Sequence, residues 1–132
     1  MKKTIEDAIK SLQAKYPNVH YQGFLLEDGH PLLEDCLQKK PDFDTEIRRA
    51  ISWFMHNPDM RTVSKCNTDA ALCNLKHKVE KWVNNTEYLG YISRGAVLVA
   101  AECLGIPHTR DKLFISKKAT EWPMFSERLR FS

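Results

Sequence analysis

The sequence predicts a mainly α-helical fold: a single compact domain of about five helices with an irregular C-terminal arm. Three observations lead there. Apolar residues recur at helical spacing in several separate stretches. The 6 prolines fall at the edges of those stretches or between them, where they start or stop helices. The 132 residues are 42 % hydrophobic and 28 % charged, the balance of an ordinary soluble domain with enough chain for one core.

The elements follow in order. Thr4 is placed to cap a first helix, with Asp7 at the carboxylate position of a capping box. Ile5, Ala8, Ile9 and Leu12 share one face, and Pro17 marks the end. Residues 18–30 have no clean period, although Tyr21, Phe24, Leu25 and Leu26 are apolar and Asp28-Gly29 marks a turn. Pro31 is expected as the first residue of a second helix whose apolar face is Leu32, Leu33, Cys36 and Leu37, closed by Pro41. Asp44 or Thr45 is expected to cap a third helix. There Ile47, Ala50, Ile51, Phe54 and Met55 recur at i, i+3, i+4, i+7 and i+8.

Residues 58–68 read as a polar loop. A fourth helix is expected over 69–84, with Leu72, Leu75, Val79, Trp82 and Val83 inward. A short connection holds Tyr88, Leu89 and Gly90. Ser93 caps a fifth helix, 93–104, which is apolar nearly all round and therefore belongs at the centre. Gly105 and Pro107 end it. Residues 1–107 form the helical core in this reading and 108–132 the irregular arm, with Leu113-Phe114-Ile115 as a short strand or half of a hairpin. Trp122-Pro123-Met124-Phe125 breaks any helix there.

The longest uncharged apolar run, 96–101, is far short of the ~20 residues a membrane span needs, so no membrane partner is expected. Met1-Lys2-Lys3-Thr4-Ile5-Glu6-Asp7 turns acidic where a secretory signal would turn apolar. A cytoplasmic protein with four reduced thiols, Cys36, Cys66, Cys73 and Cys103, is the expectation.

Charge is unevenly spread. Residues 1–46 carry 6 basic and 9 acidic side chains; residues 47–132 carry 14 basic and 8 acidic. The acidic side, Glu27, Asp28, Glu34, Asp35, Asp42 and Asp44, is a candidate binding face for a basic partner. The basic side is the second candidate: Lys76, Lys78, Lys81 and Arg94, with Lys117 and Lys118 of the arm. The plainer reading of both is a set of solvated helical faces. Trp53 points away from the Ile47/Ile51/Phe54 stripe and is expected either as an exposed interface anchor or as a packing contact with segment 18–30.

Chemistry-bearing motifs are sparse. Cys73 and His77 lie one helical turn apart, a weak candidate for half of a zinc site. His56 or His108 would have to complete it, with Cys66 seven residues before Cys73. Cys73, His77 and Glu80 give a thiol, a base and a carboxylate on adjacent turns, but no Gly-rich elbow surrounds the thiol. No phosphate-cradling loop is present, and no cofactor is expected. A helix-turn-helix would need a polar second helix, and 93–104 offers a groove only Glu102. Nucleic acid would instead meet the basic face of helix 69–84 and the tail, where Trp122, Phe125 and Phe131 could stack on bases and Arg128 and Arg130 reach phosphates.

One longer pattern stands out. Asn74-Leu75-Lys76-His77-Lys78-Val79-Glu80 is followed by Tyr91-Ile92-Ser93-Arg94-Gly95-Ala96, then Ala100-Ala101 and Leu104-Gly105. The stretch 74–105 resembles a pattern in small proteins encoded on phages and other mobile elements, a group with no assigned activity. That pattern usually has Asn before the glycine, where this chain has Arg94. The resemblance implies a small cytoplasmic protein acting on host or element machinery, often as a stoichiometric binder such as an inhibitor of host defence. The leading expectation is therefore a non-enzymatic interaction protein that binds and blocks or modulates a host protein or nucleoprotein. A direct DNA- or RNA-binding regulator is second and an enzyme third.

Overall fold

The computed structural model describes residues 1–65, 68–86 and 90–123. It is mainly helical, with isolated backbone bridges and no sheet among those residues. Six α-helices follow the sequence: α1 (Ile5–Lys15), α2 (Leu33–Lys39), α3 (Phe43–His56), α4 (Leu72–Thr86), α5 (Arg94–Leu104) and α6 (Lys117–Glu121). A 3-10 turn, Thr68–Ala70, precedes α4.

Helix α5 is the centre, as its composition requires. Gly95 through Ala101 and Cys103 are all buried, and α1, α3 and α4 pack around it. Both its ends are capped as expected: Ser93 Oγ accepts from Ala96 N–H at 3.1 Å, and Gly105 takes the left-handed conformation at φ 72°. Thr4 caps α1 in the same way, accepting from Asp7 N–H at 3.1 Å.

Several expectations are corrected. Pro31 does not open α2. Its carbonyl accepts from Tyr21 N–H at 3.0 Å and Leu32 bridges to His20, so both residues are extended and the helix begins at Leu33. Helix α3 starts at Phe43, ahead of the expected caps; Asp42 holds the N-cap position without a side-chain bond. The strand expected at 113–115 is a set of single bridges, Thr62 to Ile115 and His108 to Leu113. Lys117 and Lys118 lie in α6, capped by Ser116, and not in an irregular arm. Residues 124–132, including Phe125, Arg128, Arg130 and Phe131, fall outside the described residues, as do Cys66, Tyr88 and Leu89.

Trp53 is the largest correction. It is fully buried and does not anchor an interface. Helix α3 buries a wide arc because it is covered on two sides. One side meets α5; on the other, Trp53 meets Trp122 at 6.3 Å between ring centroids, beside Phe54 at 5.1 Å. The covering residue comes from beyond α6 and not from segment 18–30, which reaches α3 through Tyr21 on Phe43.

The far end of α5 is tied down by charge. Lys3 and His108 both bond Glu102, His108 Nε2 at 2.8 Å. Burial pushes the Glu102 carboxyl up, but those two partners outweigh it and hold the group below the usual range. Its stabilising contribution is present above the free value of 4.5 and is lost as pH falls through the folded value. Glu102→Gln is expected to cost about 1 kcal/mol at pH 7. The difference from the parent should shrink towards zero below pH 4 in denaturant titrations; a constant difference would contradict this account.

Candidate protein-docking loop

Segment 20–32 leaves the helical core and returns to it. Its base is closed by backbone pairs. His20 and Gly23 exchange N–H···O bonds at 3.0 and 2.8 Å, and Leu33 N–H donates to Val19 O at 3.2 Å. The His20 ring adds two more. Its Nδ1 accepts from Gln22 N–H at 3.0 Å and its Nε2 meets Leu25 O at 2.7 Å. Phe24 is half-buried, edge-on to Tyr16 at 5.1 Å, with the Arg110 guanidinium 4.6 Å over its ring. Leu26 then stands 98 % exposed at the tip, followed by exposed Glu27 and Asp28 and the turn at Gly29.

A cleft lies on each side of this ridge. One, of about 410 Å³, has Leu72, Cys73, Arg94 and Asp111 as its opposite wall. The other, of about 430 Å³, has Asn18, His20 and Arg110. Phe24, Leu25, Leu26 and Glu27 line both. The loop thus presents a leucine and two carboxylates between two clefts.

The other acidic candidates have local duties. Glu34 and Asp35 sit in the first turn of α2 and Asp44 in the first turn of α3, where negative charge meets the helix dipole. Asp44 also pairs with Arg48 at 2.7 Å, and Asp42 occupies the α3 N-cap position. Glu27 and Asp28 have no helix end to serve.

The basic candidates do not form one face. Lys76 is only 7 % exposed. Its ammonium bonds Glu80 at 3.3 Å and lies 4.5 Å over the Tyr91 ring, so it is a packing residue and not part of a basic surface. Arg94 is half-buried on the wall of the cleft beside Leu26. Lys78 and Lys81 line a third cleft, of about 330 Å³, with Asp69, Asn74, His77, Thr120 and Glu121. Burial first, then Lys81, hold the Lys78 amine below the ordinary lysine range. Lys117 and Lys118 are exposed on α6.

The stretch 74–105 is held by two carboxylates. Glu80 accepts from Ile92 N–H at 3.0 Å, from Lys76 and from His77 at 3.2 Å. Glu46, 3 % exposed, accepts from Ser93 N–H at 2.8 Å and Tyr21 O–H at 2.6 Å. Gln22 adds a third tie, accepting from Arg94 N–H at 3.3 Å while its amide donates to Tyr91 Oη. Burial pushes the Glu46 carboxyl up, against the bonds from Tyr21 and Ser93 that pull it down. The Tyr21 phenol is raised by burial and by Glu46. No candidate site of the sequence reading included Glu46, Gln22 or Leu26. The only signal for the loop was an apolar run before Asp28-Gly29.

Among the described residues, which leave out Cys66, the cysteine chemistry considered from spacing is not assembled. Cys73 is exposed and donates weakly to Asn74 Oδ1 at 3.9 Å, while His77 is engaged by Glu80. His56 bonds Ser52 and lies against Trp82 at 5.4 Å; His108 is held by Glu102. Among the described residues no three His, Cys, Asp or Glu side chains converge on a point that could hold a metal. Cys36 and Cys103 are buried, and burial pushes the Cys36 thiol up to about 12 and the Cys103 thiol upward as well, which keeps both protonated. No described helix is long and apolar enough to cross a membrane. No protein-family model, curated protein or solved structure matches the chain.

Proposed function

We propose that this protein is a non-enzymatic binder that occupies a surface on another protein through the loop 24–28. The observation that carries the reading is Leu26, almost wholly exposed on a loop whose base is fixed by backbone and histidine bonds. An exposed leucine on a mobile tail would mean little. On a rigid ridge it costs little ordering entropy to dock, and so it acts as an anchor. Glu27 and Asp28 beside it set the chemistry of the partner: an apolar pocket with a basic rim. The resemblance of 74–105 to phage- and mobile-element proteins fits a stoichiometric blocker of a host protein.

The test is capture from host lysate with and without nuclease, comparing the parent with Leu26→Asp and with Glu27→Lys/Asp28→Lys. One protein retained after nuclease should be recovered about tenfold less by either variant, the size expected when an interface anchor is lost. Thermal stability of Leu26→Asp should be unchanged, since that side chain is almost wholly exposed. Equal recovery by Leu26→Asp would sink the reading. Recovery that vanishes with nuclease would move it to Lys78, Lys81 and Lys118 as phosphate contacts.

A further inference from the structure

The bonds of the His20 ring fix its protonation state. A backbone N–H can only donate, so Nδ1, which receives Gln22 N–H at 3.0 Å, carries a lone pair. A carbonyl oxygen can only accept, so Nε2, 2.7 Å from Leu25 O, carries the proton. The loop base is therefore built on neutral imidazole in one tautomer. A second proton would have to sit on Nδ1, facing the Gln22 N–H, and two donors would then oppose each other.

His30 raises that cost. Its ring is stacked on His20, centroids 5.0 Å apart and planes within 13°. Its Nε2 faces Glu27 Oε2 at 3.3 Å. Once His30 is charged, a charge on His20 meets a like charge across the stack.

The remaining charged and titratable neighbours divide. Asp28 and Arg110 line the same cleft as His20. From α5, the Arg94 Cβ lies 3.5 Å from where a Cβ on Gly23 would be. From α1, Tyr16 reaches Phe24 and the His108 ring. Glu27 and Asp28 bring negative charge to the loop and Arg110 positive charge, and of the two stacked rings His20 is the one whose Nδ1 accepts a backbone N–H.

We propose that the stacked pair His20–His30 is a proton-operated latch on the docking loop. Neutral His20 holds Gln22 and Leu25 together and fixes the Leu26 ridge. A second proton on His20 breaks the Gln22 N–H bond and loosens that corner of the loop, whose backbone pairs remain. The value of the latch to binding rests on the reading of 24–28 as a docking element, but the latch itself is read on the free chain, so each can fail without the other.

The experiment is amide hydrogen exchange by NMR on the free protein at pH 7.5 and 5.0, expressed as protection so that intrinsic rates cancel. Protection at Gln22 should fall about fivefold in acid, the loss expected for one hydrogen bond, while α5 amides hold. In His20→Gln, whose side-chain amide both accepts and donates at any pH, Gln22 protection should not change with pH. In His30→Gln, which leaves the His20 bonds in place, the fall at Gln22 should remain. Unchanged Gln22 protection in the parent, or an equal fall in His20→Gln, would overturn the latch. Should His20→Gln fail to fold, loss of the pH response in His30→Gln overturns it equally.

Discussion

Glu46→Ala is expected to lower stability by about 3 kcal/mol at pH 7, with two buried donors, Ser93 N–H and Tyr21 O–H, left without their acceptor. Those donors belong to different segments, so the loss is felt at the start of α5, in loop 20–32 and in α3 together. Glu46→Gln separates the carboxylate's charge from its shape. Burial raises this carboxyl in the folded state above its free value of 4.5, so the fold prefers the protonated form. Wild-type stability should then fall as pH rises from 4.5 through the folded value and level off above it. Glu46→Gln, which resembles the protonated acid, should lack that fall. Urea midpoints from pH 4 to 8 read the difference, and parallel curves would contradict the burial argument. Glu102, at the other end of α5, must show the opposite trend, because Lys3 and His108 hold it ionised. One helix is thus pinned by two glutamates with opposite responses to acid.

Gly95→Ala carries the second large effect. Alanine is the better helix former, worth about 1 kcal/mol in a helix interior. Here that gain is overridden. A Cβ at Gly95 would meet His20 O at 3.0 Å and approach the Tyr21 carbonyl more closely still, and both obstacles are backbone. Gly95 N–H also donates to Tyr21 O at 2.9 Å, so the helix cannot back away without losing a bond. A net loss of about 2–3 kcal/mol is expected. Gly90→Ala is the control. Its Cβ would meet only the guanidinium end of Arg49, the far end of a flexible side chain and not backbone, and the loss should be smaller than at Gly95. Equal effects at the two glycines, measured by chemical denaturation, would rule out the close-approach explanation.

These two positions also show what could be read from the sequence. The helices were legible because period and punctuation agree: Thr4, Ser93 and Gly105 cap where they were expected to, and the apolar surround of 93–104 named the central helix. Trp53 was misread because periodicity describes one neighbour, and α3 has a second in the segment after α6. Lys76 was misread for a related reason. Its charge suggested solvent, while Glu80 one turn away and the Tyr91 ring supply a buried partner that spacing alone does not reveal. The loop 20–32 was least visible. What orders it is a pair of imidazoles and a few backbone bonds, and neither leaves a period. Glu80, Ser93 and Gly95 all set how α5 enters the core.

The central place of α5 bears on the order in which the molecule can be completed. Helices α1 and α3 both rest on it, yet it lies some forty residues after the end of α3 in the chain. As the polypeptide grows from its N-terminus, Ile5, Ile9 and Leu12 of α1 and Ile47 and Ile51 of α3 are made with their central support still unsynthesised. The early half can collapse but cannot close, and its sticky faces stay open until residue 104 is available. Late in synthesis one apolar helix slides into a waiting slot, and the Lys2 and Lys3 amides close over the Cys103 carbonyl behind it.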